Sequence, residues 1–213
     1  MTLSNIQIVY KVNEFSIRVR VSFILGFAVL FLLPETGLAG STDTLRGHAA
    51  IGTHSLPFTL LTLHGGNNTS PVPLLLFLHG AGERGADNRS QLNVGLPTLV
   101  KSLRALPGMQ DCRILIPQCP ENERWVDSDW TLPHSTMKEQ MTWALKGCMQ
   151  VLDSLIKHTP QIDSNRIYIT GYSMGGFGCW ELLQRFPQKF AAGIPVCGGG
   201  DTLQVQQLRA IPI

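Results

Sequence analysis

The sequence carries no excess of charge of either sign, with 17 Lys and Arg against 15 Asp and Glu and a formal net charge of +2 over 213 residues. That balance leaves no basic stripe for a phosphate backbone and no acidic tail, which excludes nucleic acid as a partner. Cysteine is scarce. The five residues Cys112, Cys119, Cys148, Cys179 and Cys197 are too few and too irregularly spaced for a disulfide framework or a zinc site. They read as small buried hydrophobes. If the protein is exported, one pair such as Cys112 and Cys119 could be bridged, and the odd count leaves at least one thiol free. Repeats and low-complexity tracts are also missing. With 44% hydrophobic and 15% charged residues, the chain has the material for one sizeable core.

No apolar run is long enough to span a bilayer comfortably. The longest, Val21 to Leu33, follows Lys11, Arg18 and Arg20, ends at Pro34 and precedes the small residues Gly37-Leu38-Ala39. This is the order of a signal peptide, so residues 1–39 are expected to be a leader cleaved after Ala39, with 40–213 as the globular domain. The protein is then secreted or periplasmic, with no stable membrane span once the leader is removed. An uncleaved membrane anchor over 21–33 is the alternative.

Beyond the leader, Ser55 to Leu63 reads as a strand, and Gly65-Gly66-Asn67-Asn68 with Pro71 and Pro73 as a turn. Leu74 to Leu78 is wholly apolar, the pattern of a strand covered on both faces. Similar short runs recur at Arg113 to Pro117, Arg166 to Thr170 and Gly193 to Cys197. A helix is expected through Met141, Leu145, Cys148, Met149, Leu152, Leu155 and Ile156, with Thr136 and Glu139 spaced as a capping box at its start. Gln91 to Leu103 and Met174 to Phe186 are further helices. This alternation predicts an α/β fold with a doubly wound, mostly parallel sheet. The loops beginning at His79, Gln118, Gly171 and Gly198 should then gather at one sheet edge, where the active groups of such sheets lie.

Gly171-Tyr172-Ser173-Met174-Gly175 matches G-x-S-x-G directly after a predicted strand and directly before a predicted helix. A turn that tight holds its serine in a strained conformation, and only glycines two positions away leave room for the adjoining strand and helix. Ser173 is therefore the candidate nucleophile. An oxyanion needs amide donors, and the helix N-terminus supplies one at Met174 N–H. The second is assigned to Ala81 N–H in His79-Gly80-Ala81-Gly82, with Gly82 the neighbouring alternative. His79 reads as a brace of that loop through its ring nitrogens, not as a base.

These residues resemble a branch of the α/β-hydrolase superfamily: secreted esterase-like or "predicted peptidase" proteins related to phospholipase/carboxylesterase and dienelactone hydrolase. Three stretches carry the resemblance: Leu76 to Gly85 with Asp87-Asn88, Asp163 to Gly176, and Arg185-Phe186-Pro187 to Asp201. The resemblance implies hydrolysis of a small-molecule ester, or a related acyl transfer, through an acyl-enzyme and without a metal or organic cofactor.

The superfamily orders its triad Ser, then Asp or Glu, then His. From Met174 to Ile213 there is no histidine, and the one Asp there is Asp201, whose expected role is in a turn or helix cap. Ile211-Pro212-Ile213 looks like the start of a next strand. The expectation is an α/β-hydrolase domain truncated on its C-terminal side, inactive or very weak as written, with Gly193 to Cys197 left as an exposed apolar edge. Two further readings stay open: a non-catalytic remnant serving as an exported binding or membrane-tethered module, and a serine peptidase.

Among the remaining polar and aromatic residues, Trp125, Asp127, Asp129 and Trp130 serve either as substrate walls or as packing for their loop. Glu83 and Arg84 are expected to form a local ion pair. His48, His54, His64 and His134 have no metal-ligand spacing, and Asp163 and Arg166 read as turn and strand-edge residues.

Overall fold

The structure is a computed structural model that describes residues 6–12, 15–21, 40–65, 71–130, 132 and 134–213. The chain divides into two units, Met1–Leu33 and Pro34–Ile213. In the first, strands β1 (Ile6–Val12) and β2 (Phe15–Val21) form an antiparallel hairpin in which Val12 faces Phe15 and Ile6 faces Val21. The sequence reading anticipated no strands there. The expected apolar run beyond Val21, the cleavage point after Ala39 and residues 66–70 of the expected turn lie outside the described residues. No described helix is long and apolar enough to cross a membrane.

The second unit contains β3 (Thr42–Ile51), β4 (His54–Leu63), β5 (Val72–Leu78), α1 (Leu96–Ala105), β6 (Cys112–Pro117), α2 (Trp143–His158), β7 (Ile162–Tyr172), α3 (Met174–Arg185) and β8 (Ala192–Val196). Six strands make one sheet in the order β3-β4-β6-β5-β7-β8. The pairs β3–β4 and β4–β6 are antiparallel, whereas β6, β5, β7 and β8 run parallel. The chain has the mostly parallel α/β sheet that its alternating runs predict. Because these four strands are parallel, the segments after Leu78, Pro117, Tyr172 and Val196 all leave the same edge.

The apolar run in β5 follows from its central place. Leu75 and Phe77 join Leu61, Leu63, Ile114, Ile116 and the α1 residues Leu96 and Leu103 in a core on one face. The alternate residues Leu74, Leu76 and Leu78, also fully buried, point to the other face, where Leu78 meets α3 at Gly178. Each such side chain contributes about 1.5–3 kcal/mol by leaving water, and a polar residue on either face would forfeit it. On that second face α2 comes close to the sheet, since a Cβ at Gly147 would stand 3.0 Å from both Ile51 and Leu56.

Three boundaries differ from expectation. Helix α2 begins at Trp143, capped by Thr142, whose hydroxyl accepts from Leu145 N at 3.2 Å and donates to the Trp125 carbonyl at 2.7 Å. Thr136 and Glu139 lie in the preceding loop and form no capping box. Helix α1 starts later than Gln91, because Gly95, at φ +75°, turns the chain and Pro97 suits the first helical turn. Strand β3 was not anticipated, since its sequence TDTLRGHAAI has few β-branched residues. It pairs on one side only, and its exposure alternates as an edge strand's does.

At the opposite edge, Ile194 and Val196 of β8 are 65% and 43% exposed, the apolar edge the sequence suggested. Beside it, Gly193 N–H donates to the Pro212 carbonyl at 3.0 Å, so Ile211 to Ile213 touches β8 without forming a strand. All five cysteines are free, four of them buried and Cys197 exposed. The suggested bridge does not form, because Cys112 opens β6 and Cys119 lies two residues beyond its far end, which separates them by roughly 20 Å at the rise of a strand, whereas a disulfide needs less than about 7 Å between Cα atoms. Burial pushes both of these thiols up to about 12.

Candidate active site

Ser173 occupies the one-residue bend between β7 and α3, at φ +53° and ψ −120°, and is exposed. An L-residue is strained there, and the backbone around it holds it in place. Ser173 N–H donates to the Val196 carbonyl at 2.9 Å, and the Ser173 carbonyl accepts from Phe177 N–H at 3.1 Å. The flanking glycines are required sterically. A Cβ at Gly171 would lie 2.6 Å from the Leu78 carbonyl oxygen, and one at Gly175 would overlap that carbonyl and stand 2.8 Å from the His79 oxygen. A Cβ at Gly176 would collide with the Val196 carbonyl. The first turn of α3 is therefore seated on the backbone of Leu78–His79 on one side and of Val196–Gly198 on the other.

This seating brings the Leu78–His79 backbone, from which the loop carrying Ala81 departs, against the helix N-terminus. Residues Ala81–Glu83 form a short 3-10 turn after Gly80. Met174 is the first residue of α3, where amide hydrogens have no acceptor within the helix. His79 is wholly buried. Its Nδ1 faces the Gly80 carbonyl at 2.6 Å, and its Nε2 faces Cys119 N–H at 2.9 Å. An amide can only donate, so Nε2 accepts and Nδ1 carries the proton. Burial drives the imidazole pKa from 6.5 down to about 4, with the hydrogen bond to Gly80 opposing the shift. Both nitrogens are occupied, and His79 is the brace it was expected to be.

The expected Glu83–Arg84 ion pair does not form. The Arg84 guanidinium donates to the Ala81 carbonyl at 2.8 Å and the Glu123 carbonyl at 3.3 Å, while Glu83 accepts from the Tyr172 phenol. Trp125 is packing, not a substrate wall. It is fully buried, bonds through Nε1 to the His79 carbonyl at 3.0 Å and lies edge-on to the His79 ring. Trp130 sits differently. The Arg124 guanidinium lies 4.3 Å above its ring, and its other aromatic neighbour is Phe177, 6.1 Å away in the first turn of α3. Beside them opens a cleft of about 420 Å³ lined by Arg124, Asp127, Asp129, Leu132, His134 and Lys138 among others.

Asp201 takes the capping role expected of it. It is buried, accepts from Leu203 N–H at 2.9 Å and Met137 N–H at 3.0 Å, and exchanges backbone bonds with the Gln184 amide. Among the described residues no hydrogen bond joins a histidine to Ser173. His64 pairs with Asp43 at 2.7 Å, His54 stacks on Trp143, and His158 bonds back to Ser154 within α2. No described cluster of His, Cys, Asp and Glu could hold a metal ion.

The sequence reading missed a buried polar network behind the loop. Asn88, at φ +52°, donates to the Gly47 and Phe58 carbonyls and accepts from Thr59 and the Gln91 amide. Gln118 accepts from Asn88 N–H and donates to Asp87 and the Glu83 carbonyl. Short polar residues in a loop look solvated in a sequence, and nothing in their spacing marks them as buried. Asp87, which accepts from Ser90, Arg89 and Gln118, has its carboxyl held far below the usual range by those bonds.

The profile of the prolyl oligopeptidase family matches residues 129–212. No curated protein sequence matches the chain. Among solved structures, a thermostable esterase is 37% identical with a TM-score of 0.64, over 80% of this chain and 45% of its own. An S-formylglutathione hydrolase from Staphylococcus aureus is 14% identical with a TM-score of 0.51, over 84% and 66%. A ferulic acid esterase is 19% identical with a TM-score of 0.51, over 74% and 59%. The chain thus spans less than two thirds of each of these proteins, and the last two likenesses speak to fold alone. A mostly parallel sheet with its strand–serine–helix bend, a 37% identical esterase and the matching peptidase-family profile lead to one conclusion: the chain is a member of the α/β-hydrolase superfamily.

Proposed function

We propose that this is a serine hydrolase that cleaves carboxylic esters through an acyl-enzyme on Ser173, with the Met174 and Ala81 amides as oxyanion donors. The observation that carries the reading is the bend itself: an exposed hydroxyl at positive φ, at a helix N-terminus seated directly on the Leu78–His79 backbone. In the reaction the Ser173 oxygen adds to the ester carbonyl and its proton passes to a base. The two amides face the negative charge that develops on the carbonyl oxygen, each contributing about a hundredfold or more in rate. Alcohol then leaves, and water repeats the sequence on the acyl group.

The base is the part the described contacts do not supply, since among the described residues no hydrogen bond joins a histidine to Ser173. Without one the hydroxyl is a weak nucleophile, and turnover by this chain is limited to what oxyanion donors and binding give alone. Imidazole in solution tests the reading directly. Hydrolysis of p-nitrophenyl acetate in excess of the imidazole-only background, or labelling by a fluorophosphonate, should be slow, accelerated by added imidazole, and lost in Ser173→Ala. If imidazole speeds the wild type and Ser173→Ala equally, the esterase reading falls and the non-catalytic alternative is favoured.

Peptidase activity is a second reading, favoured by the prolyl oligopeptidase profile over 129–212. An ester and an amide of the same acyl group decide between them. Export belongs to the same proposal, with residues 1–39 as leader. N-terminal sequencing of the mature protein should then begin at Gly40, and retention of Met1 in a membrane fraction would instead favour an anchor over 21–33.

A further inference from the structure

Most contacts that hold the loop after β5 tie it to the segment after β6, away from Ser173. His79 bonds to Cys119, Arg84 to Glu123, and the Glu83 carbonyl to Gln118. One side-chain contact runs the other way. The phenol of Tyr172, the residue before Ser173, donates to Glu83 Oε2 inside the turn Ala81–Glu83. Gly80 lies between the two partners. A Cβ there would stand 2.7 Å from Tyr172 Cε2 and 3.1 Å from Glu83 Oε2, so only a glycine lets them close over the backbone. On the far side of the ring, Gly95 approaches at φ +75°, where a Cβ would be 3.4 Å from Tyr172 Cε1, and Phe77 lies 6.2 Å away by ring centroids. Glu83 is buried, and an acidic side chain in that position requires a donor. Burial, reinforced by the bond to Glu83, raises the phenol's pKa and keeps it in its donating form.

We propose that the Tyr172–Glu83 hydrogen bond is a latch that fixes the Ala81–Gly82 turn against the bend at Ser173, which makes Tyr172 and Glu83 positioning residues. Its meaning for catalysis rests on the oxyanion reading above, whereas the latch itself concerns how the loop is held. Removing a buried bond to a carboxyl group weakens the attachment it makes, and the affected amides then open more often.

Hydrogen exchange on the full chain, followed by mass spectrometry, tests it. Tyr172→Phe and Glu83→Leu should each speed exchange across residues 80–86 by about tenfold, and peptides from β4, β6 and α2 should be unchanged. Glu83→Gln keeps an acceptor oxygen and should stay close to wild type. The double variant Tyr172→Phe/Glu83→Leu should be no faster than either single one, because both remove the same bond. Unchanged exchange across 80–86, acceleration spread over the whole sheet, or additive singles would overturn the latch. Imidazole-assisted ester hydrolysis in the same variants separates the two ideas. If wild type shows no Ser173-dependent hydrolysis while the loop still loosens, the latch stands and the esterase reading falls. If hydrolysis is present, kcat should drop about tenfold with KM nearly constant; a change in KM alone would refute the positioning role.

Discussion

His79 makes the pH stability of the domain predictable. In the folded protein its pKa is pulled from 6.5 to about 4, chiefly by burial. A group harder to protonate folded than unfolded stabilises the fold at pH values above its unfolded pKa, and that contribution is lost as pH falls toward the folded one. The window is therefore pH 6.5 down to 4. With those two values, linkage gives a loss of about 2 kcal/mol by pH 5 and about 3 kcal/mol by pH 4 relative to neutrality. Carboxylates titrate at the lower end of the same window, so the measurement is a difference. Urea unfolding of wild type and His79→Gln should be followed between pH 7 and 4.5. The variant is destabilised at pH 7 because it loses the Gly80 and Cys119 bonds, yet its stability should fall less steeply with acid. The two curves should converge by about 2 kcal/mol at pH 5. Parallel curves would show that His79 is not buried neutral and that the Cys119 amide does not bond to it.

Three further substitutions address the scaffold. Ser173→Gly should raise thermal stability, by about 1 kcal/mol or more, because glycine accepts φ +53° without strain. A fall in Tm would mean the serine is not strained. Gly175→Ala should cost about 3 kcal/mol or yield insoluble protein, since its methyl would overlap the Leu78 carbonyl; wild-type solubility and unfolding midpoint would refute that packing. Asn88→Ala should lower stability by about 2–3 kcal/mol, because it strands Thr59, Gln91 and the Phe58 carbonyl. An urea midpoint within error of wild type would show that water replaces those bonds.

The parallel strands were legible because each carries a short apolar run, unbroken in β5 and at Ile114 to Pro117 in β6, a pattern that burial on two faces produces. Leu74 to Leu78 shows why: both of its faces meet a core, so no polar residue interrupts it. Strand β3 was illegible for the opposite reason. Pairing with β4 alone, it needs little burial to be held in place, and backbone bonds from Thr42 to Ile51 supply what its side chains do not announce. The start of α2 was misplaced because the sequence offered a capping box at Thr136 and Glu139, while the structure uses Thr142, whose hydroxyl also anchors the Trp125 carbonyl. A cap that doubles as a tertiary contact has no local signature.

At the site the same division holds between what a backbone demands and what side chains negotiate. The bend at Ser173 is written into the glycines at 171, 175 and 176, since any side chain there would strike a main-chain oxygen. That constraint is local enough to read along a line of letters. Whether Glu83 would pair with its neighbour Arg84 or with Tyr172, far away in the chain, is not local. Adjacent opposite charges suggest a pair, but Arg84 is drawn to the Ala81 and Glu123 carbonyls, and the glycines at 80 and 95 leave room for the Tyr172 ring between them. Two glycines that look like loop punctuation thus decide which residue an acid meets. It follows that substituting Gly80 should disturb the Tyr172–Glu83 contact before it disturbs the β5 backbone, because its missing Cβ faces that ring and that carboxyl group.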